Sequence, residues 1–369
     1  MANEVNIIRT RIRFVNEFNY FELFSEHPFT VISCESFTGS AAPSQQSFPI
    51  CAKKSDGASS DYVAVLWALE PDCEYCVSLS FSGEDKAVQI LVRTKPIFGP
   101  MIMCKPSAVI HPDQPFSDDF LECVQAQKEN YMFIEKPTKS VQELLMLLFY
   151  HSLFALPSEI CGVNIFVLPN GKDGRFCIDL RYQGIEWRRN KKIRRLVASN
   201  KFAIVVNRNI GDSLRLAQEY HSGPPNSTWL DDDYVALLAD MAKSPKFGVR
   251  IMCVELLEKS TSKVMAGCLG YALGSVYHDF TMFTLERSAE GFGTILTKLL
   301  GESLQRCGYD LWYWGFRIDY MKQFEGKYGG KIIPKPEFLQ RWTQYRDIQP
   351  ACTVDEYIYS GKSWLPYAV

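Results

Sequence analysis

Six basic residues between Glu186 and Asn200 are the side chains of this sequence best suited to binding phosphate: Arg188, Arg189, Lys191, Lys192, Arg194 and Arg195. At helical spacing, Arg188, Lys191, Lys192 and Arg195 would share one face. The whole chain has a formal net charge of -2, so any contact with nucleic acid must use a local patch such as this one. The run predicts phosphate contact, with RNA as the favoured ligand. A solvated helix face that binds nothing explains the charges about equally well.

A second candidate for chemistry is the glycine loop Gly291-Phe292-Gly293, which follows a strand-like run ending near Phe283. After the loop, Ile295, Leu296, Leu299 and Leu300 recur at helical spacing. The first backbone N–H groups of a helix lack partners within the helix. A strand, a glycine loop and a helix in this order can therefore hold an anionic or acyl-bearing ligand.

The 12 cysteines and 5 histidines of the sequence give no sign of a metal site. Cys73 and Cys76 form the only close cysteine pair, and no second Cys or His pair stands in register with them. The first residues do not resemble a secretion signal, so we expect reduced, mostly buried thiols. The most apolar segment, from Leu144 to Leu156, is too short to span a membrane. We expect a cytoplasmic protein without metal, cofactor or membrane contact.

Three regions are expected to position these residues. Short alternating strands separated by turns predict a β-sandwich over residues 1–98, and Tyr75 following Leu69 and Pro71 resembles the tyrosine corner of fibronectin type III-like domains. Such a domain would most simply bind a protein partner. Frequent prolines predict a linker over residues 99–137, with a short helix between Phe116 and Lys128. Residues 138–369 form the third region, which opens with an amphipathic helix that includes Val141, Leu144 and Leu148.

From about residue 138 to residue 342, a series of short pieces follows one order. They are Phe149 to Pro157, the basic run, Val205-Val206-Asn207, Thr228-Trp229-Leu230, Glu255, Ala266-Gly267-Cys268-Leu269-Gly270, Thr281-Met282-Phe283 and an ending from Tyr328 to Leu339. In this order they resemble the leucyl/phenylalanyl-tRNA-protein transferase family. That resemblance does not include the first hundred residues. It implies an α+β fold with a GNAT-like mixed sheet flanked by helices, preceded by the all-β sandwich.

The family resemblance also implies an activity, which is transfer of Leu, Phe or Met from aminoacyl-tRNA to the N-terminal amine of a protein, as in N-degron tagging. The partners would be a charged tRNA, held by the basic run, and an acceptor protein or peptide. The implied site residues fall into two groups. Asp279, Tyr313 and Glu255 would be catalytic, and the substrate would be bound by Trp229, Thr281, Met282, Phe283, Trp312 and Trp314.

This sequence departs from the family at its acidic positions. Tyr313 and Gly315 stand where the family has an Asp and a Gln, and Leu238 replaces a Tyr. The family's pocket Glu matches Phe280, with Asp279 immediately before it. Side chains alternate along a strand, so a one-residue shift would normally turn Asp279 to the opposite face, and only a β-bulge or a different register would restore it. With such a change, Asp279 would take the acidic role beside Tyr313.

Two other functions remain open. One is an acyl-CoA-dependent N-acyltransferase, although Arg287 lies one residue too early for the usual pyrophosphate loop and Glu290 adds an unfavourable charge. The other is a non-catalytic module that binds RNA or protein. Packing of Trp312, Tyr313 and Trp314 in the core is the simpler reading of that aromatic trio.

Overall fold

The computed structural model describes residues 13–16, 21–36, 49–54, 61–66, 69, 73–83, 87–94, 109–110, 118, 121, 124–125, 131–135, 141–160, 163–171, 174–187, 191–222, 228–286 and 291–362. The chain divides into two compact units. The first comprises Met1–Lys139 and Ser158–Gly171, and the second comprises Ser140–Pro157 and Lys172–Val369. The domain limits at residues 98 and 138 stay a prediction.

The first unit begins with an all-β region, as predicted. Its strands are β1 (Arg13–Asn16), β2 (Phe21–Ser25), β3 (Phe29–Ser36), β4 (Ile50–Cys51), β5 (Lys53–Lys54), β6 (Tyr62–Leu66), β7 (Glu74–Phe81) and β8 (Val88–Arg93). They pair as two four-stranded sheets in the orders β1-β2-β6-β5 and β4-β3-β7-β8. Alternate residues such as Val31, Tyr75 and Val77 are buried in one core, which is the burial pattern of a half-exposed strand. The fibronectin type III likeness stays a prediction.

The rest of the first unit contains strands within the segment that the sequence presents as a proline-rich linker. The strands β9 (Val109–Ile110), β10 (Tyr131–Glu135), β11 (Leu156–Ile160) and β12 (Val163–Pro169) form a sheet in the order β11-β12-β10-β9. Between β9 and β10, residues 118, 121, 124 and 125 are helical, with Leu121 and Val124 buried. This is the position of the predicted short helix.

The second unit is built on a seven-stranded mixed sheet. It contains β13 (Arg175–Asp179), β14 (Phe202–Val206), β15 (Arg250–Glu258), β16 (Val264–Leu273), β17 (Val276–Thr284), β18 (Leu311–Tyr313) and β19 (Gly330–Ile333), in the order β14-β15-β16-β17-β18-β13-β19. Neighbouring strands run antiparallel, except β17 and β18, which are parallel. This confirms the predicted fold class, which is α+β with a mixed sheet flanked by helices.

Helices cover both faces of this sheet. They are α1 (Val141–Tyr150), α2 (Lys191–Ser199), α3 (Ile210–His221), α4 (Asp232–Lys243), α5 (Phe292–Cys307), α6 (Lys335–Tyr345) and α7 (Val354–Tyr357). Buried residues of α2, α5 and α7 join the short 3₁₀ helix Asp319–Phe324 in one core, which lies on what we call the α5 face. Contacts of Ser213, Phe149 and Trp342 with strand side chains place α3, α1 and α6 on the other face, called the α3 face. Among the described residues, no helix is long and apolar enough to cross a membrane.

The glycines around residue 270 allow β16 and β17 to pack closely. Gly267 and Gly270 lie inside the single long strand β16, and the hairpin turn to β17 is made at Gly274, which has a φ of 52°. A Cβ at Gly267 would lie 2.2 Å from the ring of Phe283, and a Cβ at Gly270 would lie 2.2 Å from the carbonyl oxygen of His278. Glycine is therefore required here for close packing against β17.

Helix α4 begins with a capped and acidic first turn. Asp231 is the N-cap, because its side chain accepts a hydrogen bond from the backbone N–H of Tyr234. Thr228 accepts a hydrogen bond from the N–H of Leu230. Asp232 and Asp233 lie in the first turn, where negative charge favours a helix.

Candidate functional site

The parallel strands β17 and β18 separate at one edge of the sheet, and the candidate site lies at this opening. They pair only as far as His278 opposite Tyr313. Beyond that point Trp314 donates its N–H to the carbonyl of Phe176 and so stays with β13, while β17 continues beside β16. A gap therefore opens between Asp279 and Trp314.

A β-bulge shapes β17 at the same point. On β16, Gly270 pairs with Asp279, and the preceding residue Leu269 pairs with Thr281. Phe280 is therefore the extra residue on β17. The side chain of Asp279 contacts Cys268 on the α5 face, whereas the ring of Phe280 packs against Phe154 and Trp229 on the α3 face. Of the two alternatives left open by the sequence, a β-bulge or a different register, the structure shows a bulge.

Asp279 is a buried carboxyl at the mouth of the gap. Burial raises its pKa to about 8, and a hydrogen bond with the Cys268 thiol opposes the rise. Oδ2 of Asp279 has no hydrogen-bond partner among the described residues, and neither has Nε1 of Trp314. Tyr320 lies close enough to this carboxyl for the charge of Asp279, after burial, to raise the pKa of Tyr320. The Tyr320 side chain is nevertheless 47% exposed. A carboxyl with this pKa can take up a proton near neutral pH.

The predicted pairing of Asp279 with Tyr313 is wrong in its geometry. Tyr313 stacks on His278 with a ring-centroid separation of 4.3 Å and also packs against Phe338 of α6, which puts it on the α3 face. Asp279 faces the α5 side. The bulge does not bring the two together, because it turns Phe280, not Asp279, to the α3 face.

On the α3 face, Phe154, Trp229 and Phe280 form a partly exposed aromatic cluster. Phe154 stacks on Phe280 at 5.3 Å, and Trp229 meets both rings edge to face at 5.6 and 6.0 Å. His278 extends the cluster inward by an edge contact of 5.2 Å with Phe154. The predicted binding residue Trp229 thus lies at the sheet opening, beside Phe280.

The segment Thr281-Met282-Phe283 is divided between the two faces. Oγ1 of Thr281 and the carbonyl oxygen of Met282 each lie 3.0 Å from Nε2 of His221 on α3. The Met282 side chain reaches Thr297 on α5, and Phe283 is buried over Gly267. His221 was not expected from the sequence, where nothing distinguishes it. A hydrogen bond to the Met282 carbonyl requires the ring proton on Nε2, whereas an unprotonated Nε2 would accept from the Thr281 hydroxyl.

Glu255 is held away from the gap by its own partners. Ser213 of α3 donates to Oε1 at 2.8 Å, and the Arg208 guanidinium lies 3.5 Å from Oε2. Burial raises the pKa of Glu255, and its bonds to Ser213 and Arg208 oppose the rise. Through the bond to Ser213, the Glu255 carboxylate holds α3 against the sheet. Its predicted catalytic role stays a prediction.

Trp312 and Trp314 lie in the core of the α5 face, with ring centroids 4.9 Å apart. Both are almost fully buried, and Trp312 also packs against Trp187. Only Trp314 stands at the gap, so the structure favours core packing for Trp312 and leaves Trp314 next to Asp279.

The basic helix is present but begins later than the basic run. Lys191, Lys192, Arg194 and Arg195 are exposed on α2, because Ile193 and Leu196 occupy its buried side. Arg188 and Arg189 lie outside the described residues. The four described basic residues form a surface that a phosphate backbone could contact.

Helix α5 starts at the end of β17 through the glycine loop. Gly291 has a φ of 69°, and a Cβ at Gly293 would lie 2.4 Å from Oγ1 of Thr284. Phe292 between them is buried against Phe202. Among the described residues, no group of three or more His, Cys, Asp or Glu side chains is arranged to hold a metal ion.

Comparison with known proteins gives no family assignment: no family model matches the chain, and no curated protein matches it. Solved structures match at low similarity. L-PGS from Bacillus licheniformis is 12% identical with a TM-score of 0.29 over 50% of this chain, which spans about half (51%) of that protein. A tandem GNAT protein from the clavulanic acid biosynthesis pathway is 11% identical with a TM-score of 0.31, over 70% of this chain and 79% of the other.

A third match is the C-terminal domain (DUF2156) of a putative lysylphosphatidylglycerol synthetase from Agrobacterium fabrum. It is 11% identical with a TM-score of 0.31, over 74% of each chain. Scores this low carry no argument about function. The fold assignment rests on the strand and helix order described above.

Proposed function

We propose that this protein is an aminoacyltransferase that moves a hydrophobic amino acid, Leu, Phe or Met, from aminoacyl-tRNA to the N-terminal amine of a protein, as in N-degron tagging. One observation carries the proposal: the gap between β17 and β18 presents a buried carboxyl, Asp279, whose Oδ2 has no hydrogen-bond partner among the described residues. Its pKa of about 8 is close to that of an α-amine.

The reaction needs one proton acceptor and little other chemistry. The ester that links the amino acid to tRNA is already activated. The neutral amine attacks the ester carbonyl carbon, a C–N bond forms, and the bond from that carbon to the ribose oxygen breaks. Asp279 in its carboxylate form accepts the proton that the amine loses, and this proton then passes to the departing ribose oxygen. Holding both substrates at the gap supplies orientation.

The aromatic cluster of Phe154, Trp229 and Phe280 would bind the donor on the α3 face. Its rings are partly exposed and adjoin the bulge, so an apolar amino acid side chain packed on them would have its carbonyl carbon near the gap. Asp279 and Phe280 are consecutive residues whose side chains lie on opposite faces. An aminoacyl group bound on the α3 face can therefore reach Asp279, which faces the α5 side, only through this opening.

The tRNA body would be held by the exposed basic residues of α2. Their attraction to phosphate does not depend on sequence and weakens as salt rises. This suits an enzyme whose donor is recognised mainly as a polyanion that carries one reactive ester.

The test is transfer of radiolabelled Leu, Phe or Met from charged tRNA to peptides with different N-terminal residues. We expect incorporation by the wild type and a decrease of about 10²-fold or more in Asp279→Asn, the usual contribution of a general base. Asp240→Asn is the matched control, because Asp240 is exposed and pairs only with nearby Lys243 among the described contacts. Full activity of Asp279→Asn, or no incorporation with any of the three amino acids, would contradict the proposal.

A second candidate, acyl-CoA-dependent N-acylation, is favoured by the glycine loop that opens α5 beside Thr284. Backbone N–H groups at such a helix start suit a pyrophosphate. To decide between the donors, the same peptides are incubated with acetyl-CoA or a longer acyl-CoA. Acylated product with an acyl-CoA, and no product with charged tRNA, would favour acyl-CoA-dependent N-acylation.

A further inference from the structure

Two cysteines that are far apart in the sequence meet at the end of helix α5. Cys307 is the last residue of α5 and is fully buried, and Cys352 lies just before α7 and is half-buried. The backbone N–H of Cys352 donates to the carbonyl of Cys307 at 3.4 Å. Residues joined by such a bond lie close enough for a disulfide, which needs Cα atoms no more than about 7 Å apart.

The two side chains contact one another as well. Burial raises the pKa of the Cys307 thiol, and a hydrogen bond with the Cys352 thiol adds to the rise. The Cys307 thiol also donates to the carbonyl of Thr353, the residue after Cys352, at 3.5 Å. Cys352 packs against the core on the α5 face, to which Cys307 belongs. Both backbone and side-chain contacts therefore hold the two sulfur atoms together.

Other neighbouring cysteines in the described part of the chain lack this geometry. Cys34 and Cys76 are on paired strands of the first unit, and Cys253 and Cys268 are on the paired strands β15 and β16. In each case the two cysteines are one residue out of register. Since successive side chains of a strand point to opposite faces, the two thiols of each pair are separated by the sheet.

We propose that Cys307 and Cys352 are a site of reversible oxidation, at which a peroxide or a small-molecule disulfide converts the two thiols into one disulfide bond. With hydrogen peroxide, the sulfur of Cys352 attacks one oxygen, the O–O bond breaks, and a sulfenic acid and water are formed. The sulfur of Cys307 then attacks the Cys352 sulfur, an S–S bond forms, and the thiol proton leaves with the departing oxygen as a second water. The two sulfurs lose two electrons, which reduce the peroxide, and a dithiol reductant restores both thiols.

The two cysteines have different roles in this reaction. Cys352 is half-buried and can meet a small oxidant. Cys307 has no exposed surface, and its raised pKa keeps it protonated at neutral pH. Cys352 is therefore oxidised first, and Cys307 reacts with the sulfenic acid from within the core.

The disulfide would fasten the C-terminal segment to helix α5. Val354 and Ile358 of this segment are buried in the core on the α5 face, and the Tyr359 hydroxyl donates to the carbonyl of Val206 at 2.7 Å. Val206 is the last residue of β14, the first strand in the order of the seven-stranded sheet. A covalent link at Cys352 would restrict this segment in the unfolded chain and so stabilise the folded one.

The experiment oxidises the reduced full-length protein with hydrogen peroxide, blocks the remaining thiols by alkylation and locates disulfides by peptide mass. We expect the peptides that carry Cys307 and Cys352 to be joined with loss of two hydrogen atoms, and dithiothreitol to separate them. Cys352→Ser should remove the link. Cys51→Ser, which removes an exposed thiol outside the pair, is the matched control and should keep it. Absence of the link in the oxidised wild type, or a link from either residue to another cysteine, would overturn the proposal.

A second measurement tests the order of reaction. In Cys307→Ala, peroxide should leave a sulfenic acid on Cys352 that dimedone traps, whereas in Cys352→Ser dimedone should not label Cys307. Labelling of Cys307 in Cys352→Ser, with none of Cys352 in Cys307→Ala, would overturn the assigned roles.

Thermal unfolding tests the fastening of the C-terminal segment. The midpoint of the oxidised wild type should lie about 5 °C or more above that of the reduced protein, because the bond closes a long loop. Peroxide should not raise the midpoint of Cys352→Ser. Equal midpoints for the linked and reduced wild type would contradict the fastening. All of these measurements are independent of the proposed function, since none of them uses the transfer reaction.

Discussion

At the scale of single residues, the ionisation of Asp279 links activity to stability. Its pKa is about 3.8 in an unfolded chain and about 8 in the folded protein. Between these values the folded protein holds a proton that the unfolded chain has lost. The free energy of unfolding therefore falls as the pH rises from about 4 towards 8, and it no longer changes through this group at higher pH. The carboxyl that suits proton transfer is thus also a source of instability.

We predict that Asp279→Asn becomes progressively more stable than the wild type as the pH rises from 5 to 8. The difference in the free energy of unfolding should grow by up to about 1.4 kcal/mol per pH unit, because one proton is involved. Urea denaturation at four pH values measures it, with Asp240→Asn as the control that shows no such trend. A constant difference across the range would mean that the carboxyl is already ionised in the folded protein.

The site residues differ in how far the sequence could predict them. Trp229 and Asp279 were singled out because both stand next to pieces whose order is readable in the sequence. The structure places both at the opening, and their roles stay predictions. Strand alternation alone gives the opposite facing of Asp279 and Tyr313. The placement of the bulge could not be read from the sequence, since it depends on which residue of β17 pairs with Gly270. His221 was missed because it comes from an element distant in sequence, where a single imidazole carries no pattern.

At the scale of elements, the β16–β17 hairpin determines the geometry of the opening. The apolar runs predicted its strands and the helical spacing predicted α5, since both signals are local. The glycines were harder to interpret. They permit close packing of Phe283 and of the His278 backbone, and that contact exists only once β17 has paired.

We predict that Gly270→Ala lowers the free energy of unfolding by about 1–3 kcal/mol and also reduces transfer. The added Cβ would lie 2.2 Å from the His278 carbonyl oxygen, which is backbone and can yield only if β17 moves at the bulge. Gly211→Ala in α3 is the control, because its Cβ would meet only the Asn209 side chain at 3.6 Å. Thermal unfolding and the transfer assay report the two effects. A stable Gly270→Ala protein with full activity would show that the bulge is not needed.

At the scale of the whole molecule, the two units are interleaved along the chain, because Ser158–Gly171 belongs to the first unit and Ser140–Pro157 to the second. Within the second unit, the segment Ser140–Pro157 is bonded to the rest at two points: Nε1 of Trp342 donates to the Tyr150 carbonyl, and the Tyr234 hydroxyl donates to the Ala155 carbonyl. A boundary chosen at residue 172 would leave Trp342 and Tyr234 as buried donors without these acceptors.

We therefore predict that a fragment of residues 140–369 unfolds in one cooperative transition, whereas a fragment of residues 172–369 is less stable by several kcal/mol or fails to fold. The loss combines the two hydrogen bonds to the Tyr150 and Ala155 carbonyls, at about 0.5–1.5 kcal/mol each, with the packing of Phe149 on Tyr271. Urea denaturation of both fragments, followed by tryptophan fluorescence, measures the difference. Equal stability of the two would mean that α1 is only an appendage of the sheet, and the aromatic cluster around Phe154 would then have no part in holding the site together.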